Sequence, residues 1–138
     1  MSGPDSLAGA EVAEAAEAVE ATLPAEQEAV ADGRLAAALT ELFVELRDRS
    51  AALPDGGGVL VVVSAADLPV LDGAVRGLVR SLAREVAARG CRINAILAAP
   101  GTDTASAQAF LSSPAAIMLT GAVLRANAHA HAHAHAHA

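Results

Sequence analysis

The sequence predicts an α/β fold with about three parallel strands, flanking helices and an acidic helical extension at the N-terminus. Two short segments, Val59–Val63 and Arg92–Leu97, are predicted strands, and the first is the continuous apolar run of a strand covered on both faces. Each follows a longer segment with apolar residues at helical spacing. Because this alternation is typical of parallel sheets with right-handed crossovers, we expect a single α/β layer.

The N-terminal segment combines Ala with Glu at three-residue steps, and both are strong helix formers, so we predict a helix over residues 6–22. Pro24 ends this helix and begins a second short one, which Asp32-Gly33 terminates. We therefore divide the chain into an acidic extension, 1–22, and a folded domain, 23–128. The apolar stripe of the first helix is thin, which predicts weak packing or packing on a partner: Leu7, Val12, Val19 and Leu23.

The middle of the chain contains two long predicted helices. The first runs from Arg34 to Leu53, because apolar residues recur on one face at helical spacing. Pro54–Gly58 is a loop by its turn chemistry and leads into the strand Val59–Val63. The second long helix spans Asp72–Arg89 and ends at the next glycine, a favourable C-cap.

The C-terminal part is predicted to be less regular. After the strand Arg92–Leu97 we expect a loop with one short helix over residues 105–111, and a possible third strand over Leu119–Arg125. Residues 129–138 alternate strictly between Ala and His, which indicates a purification tag. The remaining 128 of the 138 residues are expected to form one domain.

Charge is unevenly distributed along the chain. Residues 1–33 contain eight acidic residues and no basic one, whereas the remainder contains nine Arg and eight acidic residues. No segment forms the basic patch that a phosphate backbone requires, so we expect no nucleic-acid partner. The sequence shows no signal peptide and no span of 18 apolar residues, so we expect no membrane partner and a cytoplasmic location.

Metal and thiol chemistry lack the residues they need. His occurs only in the tag, and Cys91 is the single cysteine, so we expect neither a metal site nor an intramolecular disulfide. Ala dominates the apolar fraction, and Phe43 and Phe110 are the only aromatic residues. Because Ala buries little apolar area, association with another chain would add burial that this chain lacks.

The segment from Gly73 to Gly101 resembles the late helix and following strand of short-chain dehydrogenases/reductases, especially 3-oxoacyl reductase-like members. Leu82-Ala83-Arg84-Glu85 and Arg89–Asn94 match that helix and strand, and Pro100-Gly101 with Thr104 resembles the family's turn beside the nicotinamide. The likeness covers about 23–125, the C-terminal half of a normal member. It implies a truncated Rossmann-like layer.

The same resemblance shows what this chain has in place of the family's catalytic residues. The catalytic Tyr falls at Leu68 and the Lys at Asp72, and the chain contains neither Tyr nor Lys. The catalytic Ser falls at Ala65, with Ser64 beside it, and the active-site Asn falls near Arg34. We therefore expect no catalytic residues and no enzymatic activity.

The dinucleotide-binding half of the family also has no counterpart in the likeness. A dinucleotide site needs a glycine-rich turn that follows a strand and opens a helix. The cluster Gly56–Gly58 instead follows a helix and precedes a strand. We therefore expect no cofactor.

The resemblance implies that the two long helices build a subunit interface. We predict a non-catalytic subunit, a pseudoenzyme, that associates through them with itself or with a complete reductase of the same family, in a stabilising or regulatory role. The predicted interface residues are apolar and lie on these helices: Leu39, Leu42, Phe43, Leu46, Val75, Leu78, Val79, Leu82 and Val86.

An alternative function is a small-molecule or acyl-chain binding module that uses the remnant of the family's cleft. Arg76, Arg80 and Arg84 form a further feature with two interpretations: they bind an anionic ligand such as an acyl-CoA, or they form a solvated face or an interface. The predicted remnant-cleft residues are Ser64, Leu68, Asp72, Pro100, Gly101 and Thr104.

Overall fold

The computed structural model describes residues 16–66 and 69–126. Four strands occur in these ranges: β1 (Glu17–Thr22), β2 (Gly58–Ser64), β3 (Arg92–Ala98) and β4 (Val123–Ala126). Four α-helices connect or flank them: α1 (Gln27–Ala31), α2 (Arg34–Ala52), α3 (Pro69–Val86) and α4 (Ala105–Leu111). Two single turns of 3-10 helix follow α3 and α4, at Ala87–Arg89 and Pro114–Ala116.

The strands form one sheet in the order β1-β2-β3-β4, and every neighbouring pair is parallel. β2 and β3 pair along their full length, from Gly58 opposite Arg92 to Ser64 opposite Ala98. This confirms the predicted α/β class and the parallel Rossmann-like layer. The described sheet has four strands, one more than the sequence predicts.

The extra strand corrects the prediction at the N-terminus. The helix predicted over 6–22 is wrong for Glu17–Thr22, which form β1, and residues 1–15 of that prediction lie outside the described residues. β1 pairs with β2 over six residues, and its Val19 is only 3% exposed in the core. The helix propensity of Ala and Glu is a weak preference that this pairing and burial override. β1 therefore belongs to the same sheet as the domain predicted for 23–128.

The two long helices cover one face of the sheet. α2 contributes Leu42 and Leu46, and α3 contributes Val75, Val79 and Leu82, all at 5% exposure or less. These side chains pack with the β2 and β3 residues whose side chains point to the same face. The predicted helices Arg34–Leu53 and Asp72–Arg89 are confirmed in position, although the second begins three residues earlier and ends in the 3-10 turn.

The start of α2 is fixed by the turn between α1 and α2. Gly33 has a φ of 84°, a conformation that glycine adopts without strain. The Asp32 carboxylate accepts hydrogen bonds from the Arg34 backbone N–H at 3.1 Å and from Arg34 Nε at 2.9 Å. These hydrogen bonds hold the pKa of Asp32 below its ordinary value.

The other face of the sheet has a smaller cover. Leu60, Val62 and Ile96 pack there against Leu111 of α4 and Ala116 of the second 3-10 turn. α4 begins and ends at the predicted residues 105 and 111.

Two buried polar side chains on β3 hold the segment that leads into β4. Asn94 Nδ2 donates to the Leu119 carbonyl at 3.0 Å, and its Oδ1 accepts from the Ala122 N–H at 3.0 Å. Arg92 Nη1 donates to the Ala116 carbonyl at 3.0 Å. The paired register with β3 begins at Val123, so β4 starts later than the predicted strand Leu119–Arg125 and is shorter.

None of the helices in the described part of the chain is both long enough and apolar enough to span a membrane.

Replacing Leu46 by Ala should destabilise the fold by about 2–5 kcal/mol, because it removes a wholly buried side chain between α2 and the sheet. Val44→Ala on the same helix is the matched control, since Val44 is 39% exposed, and it should change stability by less than about 0.5 kcal/mol. Urea denaturation followed by circular dichroism measures both. Equal losses would contradict the packing described for α2.

Candidate functional site

A cleft of about 210 Å³ opens at the edge where the carboxyl ends of β1, β2 and β3 meet. In open parallel α/β sheets, this edge is the usual place for ligand binding. The cleft is lined by the strand ends and by the turn and loop that follow β3: Glu20, Ala21, Thr22, Val62, Val63, Ser64, Ala98, Ala99, Gly101, Thr102 and Thr104.

Strand register places the first part of the lining. Ser64 lies opposite Thr22 on one side and opposite Ala98 on the other. The ladder continues beyond the strand ends, since the Leu23 N–H donates to the Ser64 carbonyl at 2.9 Å and the Ala65 N–H donates to the Ala98 carbonyl at 3.1 Å. The hydroxyl-bearing residues Thr22 and Ser64 are therefore held side by side.

A tight turn places the second part. The Thr102 N–H donates to the Ala99 carbonyl at 3.1 Å across Pro100 and Gly101. Gly101 has a φ of 81°, which suits the third position of a type II turn, and Pro is common at the second. Thr104 follows at the start of α4, where its Oγ1 accepts from Gln108 Nε2 at 2.8 Å.

The structure brings together three of the predicted cleft residues: Ser64, Gly101 and Thr104. Pro100 belongs to the same turn but is absent from the lining. Asp72 lies elsewhere, on α3, where its carboxylate contacts Arg76 and Arg125 at 3.4 Å each. Leu68, the remaining predicted residue, lies outside the described residues.

Sequence reasoning missed Glu20, Thr22 and Thr102 in the lining. The first two were missed because their segment was predicted to be helical. In β1 they are two residues apart, so their side chains point to the same face of the sheet, and both reach the cleft. Thr102 had a usable signal, since it directly follows the Pro-Gly turn.

The chemistry of the cleft is that of hydrogen bonding. Its polar groups are four hydroxyls, from Thr22, Ser64, Thr102 and Thr104, and the carboxylate of Glu20. Ala65, which follows Ser64, is 4% exposed and offers no polar side chain. The described residues contain no group of three His, Cys, Asp or Glu side chains suited to a metal ion. The lining thus offers hydrogen bonds and one carboxylate, without a His or Lys that would act as a base.

The predicted interface residues divide into two groups in the structure. Leu39, Phe43 and Leu78 are partly exposed on the helices. The other six are core residues beneath the helices, and none is more than 5% exposed: Leu42, Leu46, Val75, Val79, Leu82 and Val86. They support the helical surface but cannot themselves contact a partner.

The parallel sheet, its helical crossovers and the cleft at the strand ends define a Rossmann-like α/β protein. A family model described as a short chain dehydrogenase-like protein (SDR-like) matches residues 25–126. This chain therefore belongs to the SDR-like family, which confirms the resemblance seen in the sequence.

A solved structure is similar in fold to most of this chain. BdcA (YjgI) from E. coli is similar to this chain with a TM-score of 0.62 and 23% sequence identity. The similarity covers 88% of this chain and 66% of the BdcA chain. At this identity it shows the fold alone. No curated protein matches the chain.

Replacing Gly101 by Ala should destabilise the protein by about 1–2 kcal/mol, because an alanine is strained at a positive φ. Gly101→Asn is the matched control and should cost less, since Asn tolerates this conformation better. Thermal denaturation of both variants tests the turn geometry. Equal stability of the Ala variant and the unmodified protein would contradict the turn as described.

Proposed function

We propose that this protein is a non-catalytic subunit that associates, through the outer surfaces of α2 and α3, with a second copy of itself or with a complete reductase of the same family. Its role is to stabilise or regulate the assembly. The observation that carries this proposal is a pair of glycines inside α3, Gly73 and Gly77, which face open space.

The two glycines have no purpose within the described fold. A Cβ added at either position would meet no described atom within 4 Å, so nothing in residues 16–66 and 69–126 requires a bare backbone there. Glycine in a helix interior is less stable than alanine by about 0.5–1 kcal/mol. Four residues apart, Gly73 and Gly77 lie one above the other on one helix face. Close approach of another helix gives this arrangement a physical use.

Apolar side chains of α2 and α3 that remain partly exposed also support the association. Leu39 and Phe43 of α2 and Leu78 of α3 pack against the core but remain partly exposed. Val44 and Val70 are 39% and 57% exposed. Burying these side chains against a partner would add apolar contacts at about 25 cal/mol per Å². An alanine-rich protein with two aromatic residues gains from such burial.

The composition supports the non-catalytic part of the proposal. In complete members of the resembled family, a Tyr and a Lys carry the chemistry, and this chain has neither. At the position corresponding to the Lys, Asp72 has the opposite charge and is paired with arginines. The cleft lining supplies hydroxyl groups and the Glu20 carboxylate, without a His or a Lys.

The alternative function, binding of a small molecule in the cleft, has weaker support. A cleft of about 210 Å³ is below the usual range of roughly 300–1,000 Å³ for ligand pockets. Its four hydroxyls and one carboxylate suit a small polar molecule better than an acyl chain. Denaturing mass spectrometry of the purified protein would detect a retained ligand and favour this alternative.

Replacing Gly77 by Leu should abolish the association while leaving the fold intact. Leucine is a better helix former than glycine, and its side chain would enter open space in the isolated subunit but block close helix approach. Native mass spectrometry should show an oligomer for the unmodified protein and a monomer for the variant. Ala109→Leu, at an exposed position of α4 on the other face of the sheet, is the matched control and should remain associated.

The same measurement distinguishes the two kinds of partner. If the partner is a complete reductase, the purified protein is monomeric, and capture from its own cell extract recovers that reductase with the unmodified protein but not with the Gly77→Leu variant. A protein that is monomeric alone and recovers no reductase would contradict the proposal.

Titration with NADH or NADPH should leave the nucleotide fluorescence unchanged, because the chain lacks the glycine-rich strand-to-helix turn of a dinucleotide site. A complete reductase of the family, titrated in parallel, is the positive control. Saturable enhancement or quenching with this protein would contradict a role without cofactor chemistry.

A further inference from the structure

The outer side of α3 has a row of arginines. Arg76, Arg80 and Arg84 line a groove of about 570 Å³ whose other wall contains residues 120–123, and we call them the arginine row. Arg76 is paired with Asp72 at 3.4 Å. Arg80 and Arg84 are exposed and make no ion pair with another described residue. The row therefore has positive charge that the described residues do not neutralise.

The outer side of α2 has a matching row of acidic residues. Glu41, Glu45 and Asp48 are exposed, line a groove of about 510 Å³, and are called the acidic row here. Arg49 lies 3.2 Å from Glu45, and Arg47 lies 3.7 Å from Asp48. Glu41 makes no ion pair with another described residue. Because Arg49 is shared with an acidic residue of β1, the row keeps a surplus of negative charge.

The two rows lie on opposite flanks of the helical layer. Glu41 and Glu45 also line a pocket with residues of β1, and Arg49 pairs with Glu17 of β1, so the acidic row lies on the β1 side. The arginine row lies on the side of residues 120–123, which lead into β4. Since β1 and β4 are at opposite ends of the described sheet order, the two rows are held apart within one chain.

Arg89 aligns the two helices along their length. Its Nη1 donates to the Leu53 carbonyl at 2.7 Å and its Nη2 donates to the Ser50 carbonyl at 2.6 Å, so the C-terminal ends of the two helical segments lie close together. Both helices run in the same direction, because each connects one parallel strand to the next. Counted back from Leu53 and from Arg89, each acidic residue stands within one residue of an arginine, which is about 1.5 Å along a helix.

We propose that the partner is a second copy of this chain, and that α2 of each copy packs on α3 of the other with the acidic row against the arginine row. This inference rests on the proposed association through the outer surfaces of α2 and α3. A two-fold axis parallel to the helices exchanges the positions of α2 and α3 and preserves the height of each residue. It therefore brings an acidic row against an arginine row twice in the same dimer.

Charge opposes the other face-to-face arrangement of two copies. A two-fold axis that crosses the helices would place α2 on α2 and α3 on α3, so that each row would meet its own equivalent. Like charges brought together at an interface are unfavourable. The surface is thus self-complementary in one arrangement, and a second copy supplies both rows at the required heights.

Small residues on α2 fit the same pairing. On the same count, Ala37 stands at the height of Gly73, and Thr40 stands within one residue of the height of Gly77. Ala37 and Thr40 are exposed, and the two glycines have no described atom near them. Small side chains opposite a bare backbone allow the helices to approach closely, which brings the charged rows within reach of each other.

Charge reversal in the full chain tests the pairing with three variants. The first contains Arg80→Glu and Arg84→Glu, the second contains Glu41→Arg and Asp48→Arg, and the third contains all four changes. Native mass spectrometry should show a dimer at least about tenfold weaker for each of the first two, since every reversed pair occurs twice. The quadruple variant should regain the dimer, because the signs of both rows are exchanged. Circular dichroism should show an unchanged fold, since all four side chains are exposed.

Mixing with isotope-labelled unmodified protein separates the two arrangements. The quadruple variant should form dimers with itself but not with the unmodified protein, because a mixed dimer would bring like charges together in both contacts. If α2 instead packed on α2 and α3 on α3, the mixed dimer would have opposite charges in both contacts and would form readily. Labelled and unlabelled unmodified protein should exchange, and this exchange is the positive control.

Failure of this pairing is distinguishable from failure of the proposed association. A dimer that Gly77→Leu dissociates, but that mixes freely with the quadruple variant, would overturn the pairing and leave the association standing. An unmodified protein that is monomeric alone and captures a complete reductase would overturn the second copy as partner, again leaving the association standing. A monomer that captures no reductase would overturn both.

Discussion

The two central strands, β2 and β3, must be covered on both faces, and the rest of the fold follows from this requirement. Both strands are buried along nearly their whole length, and their paired residues alternate between the two faces. α2 and α3 cover one face with an apolar layer. On the other face the cover is thinner, so the buried polar residues Arg92 and Asn94 hold the segment after α4 in place with hydrogen bonds to its backbone.

The surfaces with functional potential lie where this cover ends. Within the described residues, the carboxyl ends of the strands leave a polar cleft, and the outer side of α3 leaves two glycines facing open space. In this member of the SDR-like family, the sheet is retained and the cleft contains hydroxyls and one carboxylate. A fold specifies where a site lies, whereas its chemistry depends on the side chains placed there.

The accuracy of sequence reasoning followed the strength of the local signal. The run of branched apolar residues Val59–Val63 favours a strand, and the apolar residues at helical spacing in α2 and α3 favour helices. These elements were therefore predicted within a few residues. Glu17–Thr22 has helix-forming composition but is held as a strand by β2, so the prediction there was wrong. The cleft was predicted in part, because Ser64, Gly101 and Thr104 lie next to strand ends, while Asp72 was assigned to it only through a resemblance.

The sequence by itself determined the α/β class, the two long helices and the lack of Tyr and Lys, since these depend on periodicity and composition alone. Only the tertiary structure decided that Val19 belongs to a strand, that Leu42 and Leu46 are core residues, and that Arg80 lines a groove with residues 120–123. The physical reason is that strand pairing and burial join residues distant in the chain, and a local pattern contains no information about which of them will meet.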